Sequence, residues 1–345
     1  MSTHVSEEQL RLAARLYYLD GLPQAEVARM VKVSQAKVSR LLALARQRGV
    51  VRISVAEYEP RNKELEEALC REFKLSAAVV IKTIPGAGVE EARHAVGYFG
   101  ATILADMVPR HSTVAIAGGR TMRELILSWP ENRELGITVV QAMGSIDFTS
   151  VPADALELGR TLARKSGGFL VTLNTPAMVA DKRTRDSFMA HEQIRGAFQR
   201  LRETDIALVG IGTLENSVFV DRDVLKPADQ AAMRDCGAVG EICGRFFDNA
   251  GNECHSIWRD RVISIALPVL RQTPLVVGVT VGTDRADAVR AAIRGGLLKA
   301  LLLDEVAAFA ILGRTCPEAN RPGVRAQRTL RLAESHAVQA RHAQI

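Results

Sequence analysis

Gly118-Gly119-Arg120-Thr121 follows an apolar, β-compatible run and precedes a helix-forming one. Two glycines let a backbone close on a ligand, and a helix start presents unpaired N–H groups, so an anion can be held here. Arg120 adds a guanidinium and Thr121 a hydroxyl, both suited to phosphate. Glycine-rich or polar turns follow other apolar runs, at Gly144-Ser145, Gly210-Ile211-Gly212-Thr213 and Gly278-Val279-Thr280. One such turn is ordinary chain reversal; several along one sheet edge would converge on a single small anionic ligand. Glu241 and Arg245 stand four residues apart in GEICGRFF. That spacing would either make a surface ion pair or, given Phe246 and Phe247 beside it, carry the segment inward toward a ligand.

Turnover of a phosphorylated sugar would need more than an anion site. A sugar-phosphate isomerase, deaminase or transferase requires a positioned base beside a carbonyl. His4, His94, His111, His191, His255, His336 and His342 form no Asp-His-Glu cluster, and His191-Glu192 lacks the second histidine of a zinc helix. No G-x-x-x-x-G-K-[ST] loop occurs. Cys70, Cys236, Cys243, Cys254 and Cys316 are odd in number and never spaced C-x-x-C, which reads as reduced thiols rather than a disulfide or metal framework. The expectation is therefore a protein without cofactor or metal that reads its ligand and does not transform it.

A second chemistry lies near the N-terminus. Gln35, Ala36, Lys37, Ser39 and Arg40 follow Ser34, a good N-cap, and alternate with Val38, Leu41, Leu42 and Ala45 at helical spacing. Gln and Arg can bond base edges in a major groove, while Lys and Ser hold phosphates. No acid occurs between Val27 and Ala56, whereas Lys32, Lys37, Arg40, Arg46, Arg48 and Arg52 do. That is the electrostatic footprint of a nucleic-acid binder.

The elements that must position these groups can be read outward from them. Ser6-Glu7-Glu8-Gln9 caps a first helix ending near Asp20-Gly21, and Pro23 opens a short second one with Val27, Ala28 and Met30 facing inward. With the helix after Ser34 this makes a helix-turn-helix, and VVRISV (50–55) is expected as a short strand or wing. Glu57 to Asn62 break the pattern. Leu65, Leu69 and Phe73 then mark a helix packing on the next domain. Beyond it eight apolar runs alternate with helical ones: AAVVIK (77–82), TVAIAG (113–118), ITVVQAM (137–143), GFLVTL (168–173), IALVGIG (206–212), VISIAL (262–267), LVVGVTV (275–281) and ALLLDE (300–305). Such runs indicate strands of a parallel sheet covered on both faces.

At 345 residues the chain suffices for two domains. Residues 1–58 hold nine basic against five acidic side chains, residues 59–312 hold 30 against 32, and residues 313–345 hold six against two. With no signal-like start and no long apolar span, a cytoplasmic protein without membrane contact is expected. The reading divides the chain into a helix-turn-helix domain (1–56), a linker helix (57–75), an effector-binding α/β domain (76–312) and a basic extension (313–345).

Taken together, LPQAEVARMVKVSQAKVSRLLALARQRGVVRI (22–53), AGGRT (117–121), GITVVQAMGS (136–145), DIALVGIGTL (205–214), GAVGEICGRFFDNAGN (237–252), DRVISIALPVLRQTPLVVGV (260–279) and AAIRGGLLKALLLDE (291–305) resemble, in order and spacing, the SorC family of bacterial transcription regulators. The resemblance implies a winged helix-turn-helix ahead of a doubly wound, mostly parallel α/β sugar-binding domain similar to glucosamine-6-phosphate isomerase/deaminase. It implies as partners a double-stranded DNA operator, a sugar or phosphosugar effector, and further copies of the chain in a homo-tetramer or homodimer. Carried over by position, Gly118, Gly119, Arg120 and Thr121 would hold the effector's phosphate, Glu241 and Arg245 would face the sugar or phosphate, and Lys299 is a further candidate. Met143 stands where a lysine could form a Schiff base with an aldose, so a non-covalent effector is implied.

Overall fold

The computed structural model describes residues 6–146 and 152–315, and the chain divides between Glu59 and Pro60 into two compact units. The tail expected as a basic extension lies outside the described residues from residue 316 onward, as does Cys316.

Among the described residues the first unit is three helices, α1 (Glu7–Tyr18), α2 (Gln24–Met30) and α3 (Gln35–Gln47). Ser6 and Ser34 cap α1 and α3, each hydroxyl accepting the N–H three residues on. Between α2 and α3 the chain turns through Lys32, whose φ of 53° is left-handed and mildly strained for a side-chain-bearing residue. Ala13, Val27, Val31, Val38 and Leu41 pack into one small core, and Leu10, Ala14 and Ala45 form another. Two expectations fail here. Met30 is more than half exposed, because Val31 takes the inward position. No strand forms over 50–55: Val51 folds back, its N–H donating to the Ala45 carbonyl, and among the described residues no strand pairs with Ile53 and Val55. A lone strand leaves its backbone groups unbonded within the sheet sense, so apolar alternation alone cannot make a wing.

The second unit begins with α4 (Lys63–Phe73), whose Leu65 and Leu69 are buried in its core. Among the described residues seven parallel strands follow: β1 (Ala77–Ile81), β2 (Thr113–Ile116), β3 (Thr138–Gln141), β4 (Phe169–Val171), β5 (Ile206–Gly210), then β8 (Leu275–Thr280) and β9 (Ala300–Asp304), with a separate antiparallel hairpin of β6 (Gly240–Ile242) and β7 (Arg245–Phe247). The sheet order is β1-β9-β8-β5-β2-β3-β4. Its helices are α5 (Val89–Asp106), α6 (Arg120–Ser128), α7 (Ala155–Lys165), α8 (Lys182–Ala190), α9 (Glu192–Arg202), α10 (Val218–Asp221), α11 (Pro227–Asp235), α12 (Leu267–Gln272), α13 (Ala286–Arg294) and α14 (Glu305–Ile311).

Successive strand residues belong to different cores. Val79, Val114, Ile206, Leu208, Val277 and Leu302 pack with α5, α6 and α7, while their neighbours Val80, Ala115, Ala207, Val209, Val276 and Leu301 pack with α4, α9, α13 and α14. Side chains alternate across a strand, so a sheet buried on both faces needs apolar residues at every position. VISIAL is the exception. It touches Met143 and Met178 only through isolated antiparallel bridges at Ser264 and Val262, and Leu267 already begins α12. An apolar run reports burial; here it is burial of a segment crossing the strand ends, not sheet membership.

Candidate functional site

In a parallel sheet the strand ends nearest helix N-termini collect ligands. The ends of β2, β5 and β8 open here into a cleft of about 350 Å³. Gly119 caps α6 with φ 135° and ψ 159°, a conformation essentially confined to glycine. Arg120 and Thr121 therefore open the helix directly at the cleft, with Gly118 beside them. A side chain on Gly118 would collide with the Ala153 carbonyl, 2.7 Å away. Arg120 Nη2 donates to Asn216 Oδ1 at 3.1 Å and lies 3.3 Å from Asp221 Oδ2, so its guanidinium spans toward the segment after β5.

Gly210 and Gly212 line the cleft after β5. Gly212 and Glu241 exchange both backbone hydrogen bonds at 2.9 Å, which docks the β6–β7 hairpin onto the sheet edge. Any side chain at 212 would strike Glu241 Oε2, 2.4 Å from the ideal Cβ. Glu241 is buried, and the Gly244 N–H donates to its carboxylate. Burial pushes its pKa up to about 7; the Gly244 bond and the Arg285 charge oppose that rise without cancelling it. Near neutrality the group is thus divided between a form that only accepts hydrogen bonds and one that also donates, either of which suits a sugar hydroxyl. Burial beside Glu241 likewise drives the Cys243 thiol far upward, so this cleft cysteine is no thiolate nucleophile.

Three expected site residues lie elsewhere. Arg245 belongs to β7, not to a helix, and donates to the Ile265 and Ser264 carbonyls and to Glu253 Oε1 at 2.7 Å, bracing the segment that crosses the strand ends. Gly144 is pressed against Thr175 and Pro176, where a Cβ would meet the Pro176 carbonyl, so the position serves close backbone approach, and it is not among the residues lining the cleft. Lys299 precedes β9, at the opposite edge of the sheet, and donates to the Arg271 and Thr273 carbonyls. Met143 lines the cleft, and no lysine stands among the lining residues.

The cleft is also lined by groups that the sequence does not mark as ligand contacts, Arg93 on α5, Asn216, Asp221 and Arg285 at the start of α13, and by Thr280, which ends the Gly278-Val279-Thr280 step of β8. Arg93 and Arg285 read as ordinary helix-surface charges when only neighbours in the chain are considered. The polar step from Thr280 through Gly282-Thr283-Asp284-Arg285 after a strand was the available signal.

In the first unit, Ser34, Gln35, Ala36, Ser39 and Arg40 are exposed and Lys37 is half-buried, while Val38, Leu41 and Leu42 face the core. The opening of α3 thus presents hydrogen-bonding and cationic side chains to solvent on one side.

The sugar-binding domain family, Sugar-bind, matches residues 60–313. A transcriptional regulator of Escherichia coli, YjhU, is 26% identical over 321 residues, covering 92% of this chain and 98% of that protein. The deoxyribonucleoside regulator of Bacillus subtilis is 27% identical over 309 residues, covering 89% and 98%. The full-length sorbitol operon regulator SorC of Klebsiella pneumoniae shares the fold, with a TM-score of 0.72 at 23% identity over 90% of this chain and all of that one. With the family match running from the start of the second unit to the end of its last helix, the chain belongs to the SorC family of sugar-binding-domain regulators.

Proposed function

We infer that this chain is a DNA-binding transcription regulator whose operator affinity is set by a sugar or phosphosugar held non-covalently in the cleft of the second unit. The observation that carries the reading is the convergence of the α6 N-terminus and Arg120 with the buried Glu241 carboxyl in one cleft. A helix N-terminus with a guanidinium suits a phosphate, and a carboxyl poised between its two forms suits hydroxyls. The relatives named as regulators, over nearly their whole lengths, support regulation over catalysis.

On this reading Gly118, Gly119, Arg120 and Thr121 receive the phosphate, and the α3 residues Ser34 to Arg40 meet the duplex. A homo-tetramer or homodimer would place several α3 helices on successive major grooves. Arg120→Ala tests the assignment. Operator binding should persist while its response to phosphosugars falls by a factor of ten or more, the scale for losing a charge-assisted contact. A variant that still responds like the parent in a fluorescence-anisotropy titration removes Arg120 from the site.

A further inference from the structure

The cleft holds more cationic donors than one phosphate at α6 can use. Arg93 is buried, its side chain only 5% exposed, and Arg285 is 11% exposed. A guanidinium carries five N–H donors. Among the described residues Arg93 donates only through Nη1, to Glu90, and Arg285 only through Nη1, to Asp284 and the Val281 carbonyl. Their carboxylate partners sit at the rim, Glu90 75% and Asp284 47% exposed. Nε and Nη2 of both arginines are left without acceptors there. Beside them Thr280, 2% exposed and lining the same cleft, has a buried hydroxyl with no hydrogen-bond partner among the described residues.

An unsatisfied buried hydroxyl is costly to maintain, and two guanidiniums paired with carboxylates at the rim keep further N–H donors for an anion. Arg93 and Arg285 are also held below the ordinary arginine range, by burial first and in each case by the charge of Arg120 as well. Three guanidiniums therefore lie within mutual repulsion around one small volume. An anion at Arg120 relieves part of this and leaves the Arg93–Arg285 side balanced by the rim carboxylates Glu90 and Asp284.

Resting on the phosphosugar reading above, we propose that Thr280 Oγ1, Arg93 and Arg285 form a second oxyanion subsite, so that the effector is a sugar bearing two anionic groups. The second group is a carboxylate or a phosphate; both offer the acceptors that two guanidiniums and a hydroxyl require. The cleft's volume is within the range of small-molecule pockets and admits a ligand of this size.

The test uses the full-length protein and matched ligands in calorimetry: glucose 6-phosphate against 6-phosphogluconate for a carboxylate, and fructose 6-phosphate against fructose 1,6-bisphosphate for a phosphate. At least one doubly anionic ligand should bind tenfold or more tightly than its singly phosphorylated match. Thr280→Val, which keeps the shape and removes the orphan hydroxyl, should erase most of that advantage, weakening the doubly anionic ligand several-fold more than its monophosphate match. Because it deletes an unsatisfied group, the variant should be no less heat-stable than the parent when ligand-free. Equal affinities within both pairs, or an advantage that Thr280→Val leaves intact, overturns the second subsite and leaves the phosphosugar reading standing. Failure of all four ligands to bind the parent protein overturns that reading and the subsite with it.

Discussion

A carboxyl group placed out of water prefers its proton, and Glu241 is the group on which this preference tells most directly. Its pKa is raised from 4.5 to about 7, by burial first, with the Gly244 N–H and Arg285 partly offsetting. The folded state therefore keeps a proton that the unfolded state loses near the ordinary value. Stability from this group is fully present below about pH 4.5 and declines as pH rises through about 7. Glu241→Gln retains the size of the side chain and an acceptor for Gly244 but cannot ionise. The variant and parent should be equally stable near pH 4, and the variant should gain on the parent by up to a few kcal/mol by about pH 8. Urea unfolding of both proteins at the two pH values measures the gap. A gap that stays constant would mean that Glu241 titrates normally in the fold.

At the scale of elements, propensity and burial pull in the same direction for most of the chain and part company at the site. Seven of the eight apolar runs are strands because both sheet faces are covered, so continuous apolarity and strand identity coincide. The same logic misreads Val262 to Ala266, where burial comes from crossing the strand ends. The β6–β7 hairpin was hidden for another reason. Its two-residue turn, Cys243-Gly244, has φ of 53° and 78°, and a cysteine in that first position is a poor announcement of a tight hairpin. Glu241 and Arg245 were accordingly read at helical spacing, whereas opposite strands send one into the cleft and the other to the Ile265 carbonyl. The Gly118-to-Thr121 loop and the step ending in Thr280 are legible because glycine-rich or polar turns after apolar runs are local signals; Arg93 and Arg285 are not, because only the sheet order brings them to the same cleft. Helix α3 makes its own prediction. Ser34 Oγ accepts the Lys37 N–H at 3.2 Å, and Ser34→Ala should cost about 1 kcal/mol of first-unit stability. Ser34→Asp keeps a capping acceptor and should retain that stability. If the opening of α3 meets duplex phosphates, the added negative charge should nonetheless weaken operator binding several-fold. Thermal melts with mobility-shift titrations separate the two effects; an aspartate variant that binds DNA like the parent places this cap away from the backbone.

For the whole molecule the question is how a ligand in one unit can matter to the other. Charge already divides the work: the first 58 residues are net basic, with nine cationic against five anionic side chains, while residues 59–312 carry 30 against 32. On the proposed reading a polyanionic duplex is drawn to the first segment, and a small anion is selected in the second by local guanidiniums, not by overall charge. Regulation then requires a coupling free energy between the two sites, and such coupling is reciprocal. If effector changes operator affinity by some factor, operator must change effector affinity by the same factor, typically about 5- to 150-fold. Titrating effector into the protein alone and into protein saturated with operator duplex should give two dissociation constants whose ratio equals the ratio of operator affinities with and without effector. The operator arm should weaken steeply with added salt through counterion release. The coupling ratio is a comparison of two states at one salt concentration, so it should be less salt-dependent than either affinity. Identical effector constants with and without operator would show that the cleft and the DNA surface act independently, and regulation through ligand-dependent operator affinity would fail even if each site bound its partner as expected.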